Sequence, residues 1–318
     1  MSGPPFGRRF NDSKQLRLPG HTVQRFEVVE AFNLVIAACF SESDETNEQP
    51  CVLVCDMQTT KVFQKITYKP REYPSAVSWH TFDGVGESTA KLKVYIGTSL
   101  MADKANGEIE SYSPQKGTLY AYDFDVELRC EQEIGLNGAV YDIQDFMLAG
   151  KSYLVLGINA IVRIYLVDRD SNMIETIAEA DSQIITYKLK VVKPTKPVQR
   201  KNDCVKILVA DIMKSLSVYS FARYPDPDTG DRFKIEARDP NGLWCIEMAS
   251  VPNNQTAAQQ ANEMSDSEED GTDDFYLTAD FDQNLTLLQK FRNVDPKKAD
   301  LLQIKASAFM GQQVTQIG

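Results

Sequence analysis

Cys51 and Cys55 stand four residues apart in CVLVCDM. A strand would put both on one face, and two thiolates so placed are half of a tetrahedral metal site. The other half is missing: no second Cys/His pair with ligand spacing follows, and His21 and His80 are the chain's two histidines. Cys39, Cys130, Cys204 and Cys245 lie mostly inside or at the ends of apolar runs, where a free thiol behaves as a small hydrophobe. Neither a metal nor any other cofactor is expected. Asp142, Asp145, Asp211, Asp280 and Asp282 each follow an apolar run and have the right groups for acid-base work. Aspartates at strand ends more commonly cap turns through neighbouring backbone. GINAIVRIY lacks the GxGxxG of a dinucleotide loop, and no nucleophile elbow is present, so the chain is not expected to be an enzyme.

Two charged segments suggest other chemistry. Lys188, Lys190, Lys193, Lys196, Arg200 and Lys201 occur in KLKVVKPTKPVQRK without an acid, a pattern that can hold phosphates and makes nucleic acid a weak candidate partner. The segment is broken by prolines and has no stacking aromatics, so a solvated loop is the stronger expectation. In SDSEEDGTDD, Ser265 and Ser267 each precede an acid by three residues, which suits acidophilic kinases and marks both as weak phosphorylation candidates. That run has too little apolar surface to order itself and is expected to be a disordered insertion over 252–274.

The net charge of −11 comes from such runs. Seven acids fall between Glu263 and Asp274 and four between Ser41 and Pro50, and removing them leaves 34 charges of each sign. With 42% hydrophobic and 25% charged residues the chain is in the globular range, which excludes collagen-like, disulfide-scaffold and wholly disordered classes. No apolar stretch approaches the roughly 20 residues of a membrane helix, and Met1–Phe10 has no apolar core like that of a secretory signal. A soluble intracellular chain follows, with residues 1–20 as a disordered N-terminal segment.

The elements that must position any site are strands. LVIAACF, LKVYIGT, TLYAYDF, YLVLG, IVRIYLV, VKILVA and LSVYSF are short, rich in Val, Ile, Tyr and Phe, and bounded by turn residues. They group in fours, with openings near His21, Tyr73, Ala139, Ile184 and Trp244. A four-stranded unit recurring at this interval is the signature of propeller blades. The expectation is an all-β, WD-repeat-like partial β-propeller over 21–318, with five blades of a seven-bladed ring. Phe309–Gly318 reads as the opening strand of a sixth blade.

GTSLM, KGTLYAYDF, GAVYDIQDF, GINAIVRIYLV, KILVADIMKSLSVYSF, EARDPNGLWCIEM and FYLTADFDQNLTLLQ occur in the order and spacing of one family. They resemble the C-terminal propeller region of the superfamily of DNA damage-binding protein 1 and the cleavage and polyadenylation specificity factor A subunit, of which a U2 snRNP splicing-factor subunit is a third branch. The resemblance implies a nuclear scaffold, with the cytoplasm as a second location. In the damage-binding branch two propellers receive substrate receptors of a cullin-RING ubiquitin ligase linked to DNA repair, and another docks the cullin. In the other branches the scaffold serves mRNA processing. The chain lacks the first two propellers and the C-terminal helices, so cullin docking is not carried over. The receptor-facing positions are, and here they are Glu48, Tyr73, Ser99, Ala139, Ile185, Tyr187 and Trp244. Six of them fall near blade openings, where a propeller's mouth binds partners. Packing between blades is the competing role for Trp244, and a solvated loop charge is the competing role for Glu48.

Overall fold

A computed structural model describes residues 18, 20–41, 49–82, 91–101, 114, 116–168, 173–182, 184–192, 204–227, 229–251, 275–291, 293, 298–314 and 317. Among these residues twenty strands form five antiparallel four-stranded meanders. The first holds β1 (His21–Val29), β2 (Leu34–Ser41), β3 (Cys51–Asp56) and β4 (Val62–Thr67). The second holds β5 (Glu72–Phe82), β6 (Lys91–Leu100), β7 (Gly117–Phe124) and β8 (Leu128–Leu136), and the third β9 (Val140–Leu148), β10 (Lys151–Ile158), β11 (Ile161–Val167) and β12 (Ile174–Asp181). The fourth is β13 (Thr186–Val192), β14 (Cys204–Asp211), β15 (Ser215–Ala222) and β16 (Phe233–Arg238); the fifth is β17 (Cys245–Val251), β18 (Phe275–Asp280), β19 (Asn284–Phe291) and β20 (Asp300–Phe309). A short parallel pairing of β16 with β20 fuses the last two into one eight-stranded sheet. No helix among the described residues is long and apolar enough to cross a membrane.

The first strands of successive sheets lie side by side, β1 on β5, β5 on β9, β9 on β13 and β13 on β17, which is the radial arrangement of a propeller. No comparable packing joins the fifth sheet to the first among the described residues, so the propeller is partial. The apolar core lies in layers between blades. Val94 and Ile96 of β6 face the first sheet through Ile36 and Val54, while Tyr95 between them faces the third through Leu154 and Tyr165. This alternation makes β10 and β15 buried almost end to end. Between the third and fourth sheets, Phe146 stacks on Tyr153 at 5.2 Å and Phe221 meets both edge-on. Aromatic pairs of this kind add about 0.5–1.5 kcal/mol each beyond area burial.

All five blades carry the same two irregularities. In the inner strand one extra residue bulges out of the ladder: Gln24, Ser75, Tyr141, Tyr187 and Ile246. In the outer strand Phe63, Glu131, Ile177, Glu236 and Lys305 do the same. Bulges sharpen strand twist, and repeating them at fixed positions gives each blade the same coil. A third repeat is the small residue near the end of each second strand that pairs with the residue just past the inner-strand bulge: Ala38, Gly97, Gly157, Ala210 and Ala279. The structure gives its reason. A Cβ on Gly97 would stand 2.7 Å from Val140 Cβ, and one on Gly157 would stand 2.5 Å from Thr186 Cγ2. In the first four blades the next blade's inner strand starts against this part of the second strand.

One sequence expectation changes. Phe309 ends β20, and the described residues beyond it form no strand. Instead the Met310 amide bonds to the Gln283 carbonyl and the Ile317 carbonyl accepts from Lys190 Nζ at 3.2 Å, and among the described residues no sixth blade opens. Residues 1–17 and the insertion 252–274 lie outside the described residues.

Gly157→Ala is expected to lower unfolding free energy by about 1–3 kcal/mol through overpacking against Thr186. Gly135→Ala, where an added Cβ meets nothing within 4 Å, should be nearly neutral; urea denaturation of both variants checks the pair.

Candidate protein-interaction surface at the channel mouth

The inner strands carry polar side chains because they line a channel, and several of these groups join one blade to the next. Ser75 Oγ donates to the carbonyls of Gly97 and Val140, linking the second and third blades. Asp142 accepts the Leu189 amide at 2.8 Å and links the third to the fourth. Lys188 pairs with the buried Glu247 and links the fourth to the fifth. Trp79 bonds to Glu27 between the first and second. Asp142 is buried, and desolvation raises its pKa against the pull of Arg25 and its two backbone donors. Glu27 is raised by burial first and then by the charge of Asp142.

Where the inner strands begin, at the channel's upper end, four of the five bulged residues converge. Gln24, Ser75, Tyr141 and Tyr187 line a cavity of about 190 Å³ together with Arg25, Ser99, Pro114, Ala139 and Val140. The Arg25 guanidinium, from the first blade, lies over the Tyr187 ring of the fourth with its carbon 5.9 Å from the centroid. The wall is held by Asn159, whose φ of 47° is a left-handed conformation that Asn tolerates better than most residues. Its Oδ1 accepts the Ala139 amide at 3.0 Å, its Nδ2 donates to the Pro114 carbonyl, and its own carbonyl accepts the Thr186 amide at 2.7 Å.

The same rim continues to the fifth blade. Trp244 is 45% exposed and its ring meets Phe281, 52% exposed, at 5.6 Å, while the Phe281 amide bonds to the Trp244 carbonyl. Trp244 is therefore not packed between blades; it forms half of an exposed aromatic pair. Asp211 accepts the amides of Ile184, Ile185 and Met213 and fixes the turn that carries Ile185. Asp280 caps the Phe281 turn through Asn284. These two aspartates build turns, as their strand-end positions suggested.

At the lower end, a larger cavity of about 560 Å³ is lined by Glu27, Ser78, Trp79, His80, Thr81, Gln144, Asp145, Phe146 and Met147. His80 Nδ1 is 2.7 Å from Asp145 Oδ2, but Ser78 approaches the same carboxylate and not the imidazole, so the three do not form a nucleophile, base and orienter in series. Among the described residues no group of three or more His, Cys, Asp or Glu is arranged to hold a metal ion.

The structure brings Ser99, Ala139 and Tyr187 to one cavity and puts Tyr73, paired with Ser99, Ile185 and Trp244 on the same rim. Ala139 is buried and contributes backbone, not a contact face. Lys188 and Lys190 belong to the inner strand β13 and engage Glu247 and Ile317. Glu48, Lys193, Lys196, Arg200, Lys201, Ser265 and Ser267 lie outside the described residues. Sequence reading missed Arg25, Gln24, Tyr141, Asn159 and Phe281. The break in period-2 alternation near each blade opening was the available signal for the bulged ones.

Glu27→Gln removes the carboxylate that burial and Asp142 disfavour. A raised carboxyl pKa means the folded state binds the proton more tightly, so its penalty is present at neutral pH and vanishes as pH falls into the ordinary carboxylate range, about 4. The variant should melt higher than wild type at pH 7 and lose that advantage near pH 4, as read by thermal denaturation across pH.

No curated protein matches the chain in sequence. Residues 49–264, from just before β3 to beyond β17, match the family described as the CPSF A subunit region, and with a propeller whose blades share that stretch the chain belongs to this family.

Proposed function

We propose that this chain is a non-enzymatic protein-interaction scaffold that corresponds to the C-terminal propeller region of the superfamily and presents its upper mouth to partner proteins. In the favoured reading the partners are substrate receptors of a nuclear cullin-RING ubiquitin ligase linked to DNA repair, together with the rest of a multi-propeller assembly. One observation carries the proposal: an exposed Trp244–Phe281 pair shares the rim with a cavity built from four blades. Large exposed aromatics on a rigid concave rim are the usual anchors of protein interfaces. No membrane attachment and no cofactor enter this reading.

The second reading is an RNA-processing scaffold of the polyadenylation or splicing branches, favoured by the description of the matching family. Direct nucleic-acid binding is its weaker part, because Lys188 and Lys190 are already engaged within the chain.

Affinity capture from nuclear extract decides between them. Receptors and cullin subunits on the wild-type chain support the first reading; polyadenylation or spliceosomal subunits support the second; neither set sinks both. Trp244→Ala should weaken capture about thirty-fold, the hot-spot scale of about 2 kcal/mol, while changing stability by about 1 kcal/mol or less. Equal capture by wild type and variant would remove the rim from the interface.

A further inference from the structure

We infer that Arg25 is the recognition point for a single carboxylate, the side chain of an aspartate or glutamate that the partner inserts into the upper mouth. This rests on the scaffold reading and adds the chemistry of what the mouth takes. A guanidinium has five N–H donors in one plane, and among the described residues that of Arg25 makes no hydrogen bond or ion pair. Tyr187 supports its face, so the hydrogen-bonding edge stays available for a bidentate partner. The edge opens on a cavity of about 190 Å³, room for one small side-chain head, with Gln24, Ser99, Tyr141 and Tyr187 around it. Ser75 cannot assist, since its hydroxyl is committed to two carbonyls.

The charges beneath set the valence. Asp142 and Glu27 both feel Arg25, which draws their pKa values down against burial. A dianionic phosphate seated on Arg25 would face both carboxylates, whereas one carboxylate brings half that repulsion and fits the planar fork. The lysine that could offset more charge, Lys188, is held by Glu247. An acidic peptide is therefore favoured over a phosphopeptide or a nucleic-acid backbone.

The test uses the full chain labelled with ¹⁵N, following the Arg25 Nε–Hε resonance, which is assigned from its absence in Arg25→Lys. The probes are N-acetylglutamate amide, its neutral isostere N-acetylglutamine amide, N-acetylalanine as a main-chain carboxylate, and inorganic phosphate. A saturable shift with the glutamate probe, at least about tenfold weaker with the glutamine probe and with phosphate, is the expected result. Arg25→Lys, which keeps the charge and the fold but loses the fork, should weaken the glutamate probe about tenfold as followed through the neighbouring Tyr141 and Tyr187 amides. Equal shifts from the glutamate and glutamine probes, no saturable shift, or tighter binding of phosphate or N-acetylalanine would each overturn the inference. The two proposals fail separately. Capture that is lost in Trp244→Ala, without a glutamate response in wild type, sinks carboxylate recognition alone. A glutamate response without any protein capture sinks the scaffold reading alone.

Discussion

The close approach of each blade's inner strand to the second strand of the blade before it is the constraint on which the rest of this structure depends. Val140 starts against Gly97 and Thr186 against Gly157, at distances that leave no room for a methyl group. That approach draws the first strands together around a channel and sets the apolar layers between blades within van der Waals reach. The same place in the other blades holds Ala38, Ala210 and Ala279, each small enough to keep the pitch. Side-chain volume at one position per blade thus governs how tightly the propeller coils.

Once the strands are that close, the channel's polar groups have few alternatives. A carboxylate such as Asp142 is tolerable in a buried inner strand because it meets the Leu189 amide of the next blade, and Glu247 because it meets Lys188. Apolar layers supply the bulk of the adhesion between blades, while these bonds fix relative height and rotation. Arg25 is the exception. It approaches Asp142 and Glu27 electrostatically but makes no hydrogen bond among the described residues, which leaves its donors to the mouth.

Fold class was readable because strand composition and turn punctuation are local. The openings expected near Tyr73, Ala139, Ile184 and Trp244 fall within two residues of where β5, β9, β13 and β17 begin. The end of the chain was misread because Phe309 to Gly318 resembles a strand in composition, whereas pairing with β19 uses only its first residue. The mouth was legible in part. Trp244 and Tyr187 stood out by type and position, but the contact of Arg25 with Tyr187 joins residues 162 positions apart, and no periodicity announces it. Tyr141 and Gln24 were hidden for another reason: a bulge shifts the alternation by one, so a reading based on strict period 2 assigns the neighbouring residues to the wrong face.

The inner-strand bulges have one more consequence, which concerns how such a molecule can diversify. A bulged residue is released from cross-strand pairing, so its identity is nearly uncoupled from the register of its sheet. The bulged positions hold glutamine (Gln24), tyrosine (Tyr141 and Tyr187) and isoleucine (Ile246), side chains of different size and polarity on backbones that repeat one geometry. Ser75 is tethered to two carbonyls and is not free in this sense. Partner choice and architecture are thereby assigned to different residues of the same strand, and lineages can revise the first without renegotiating the second.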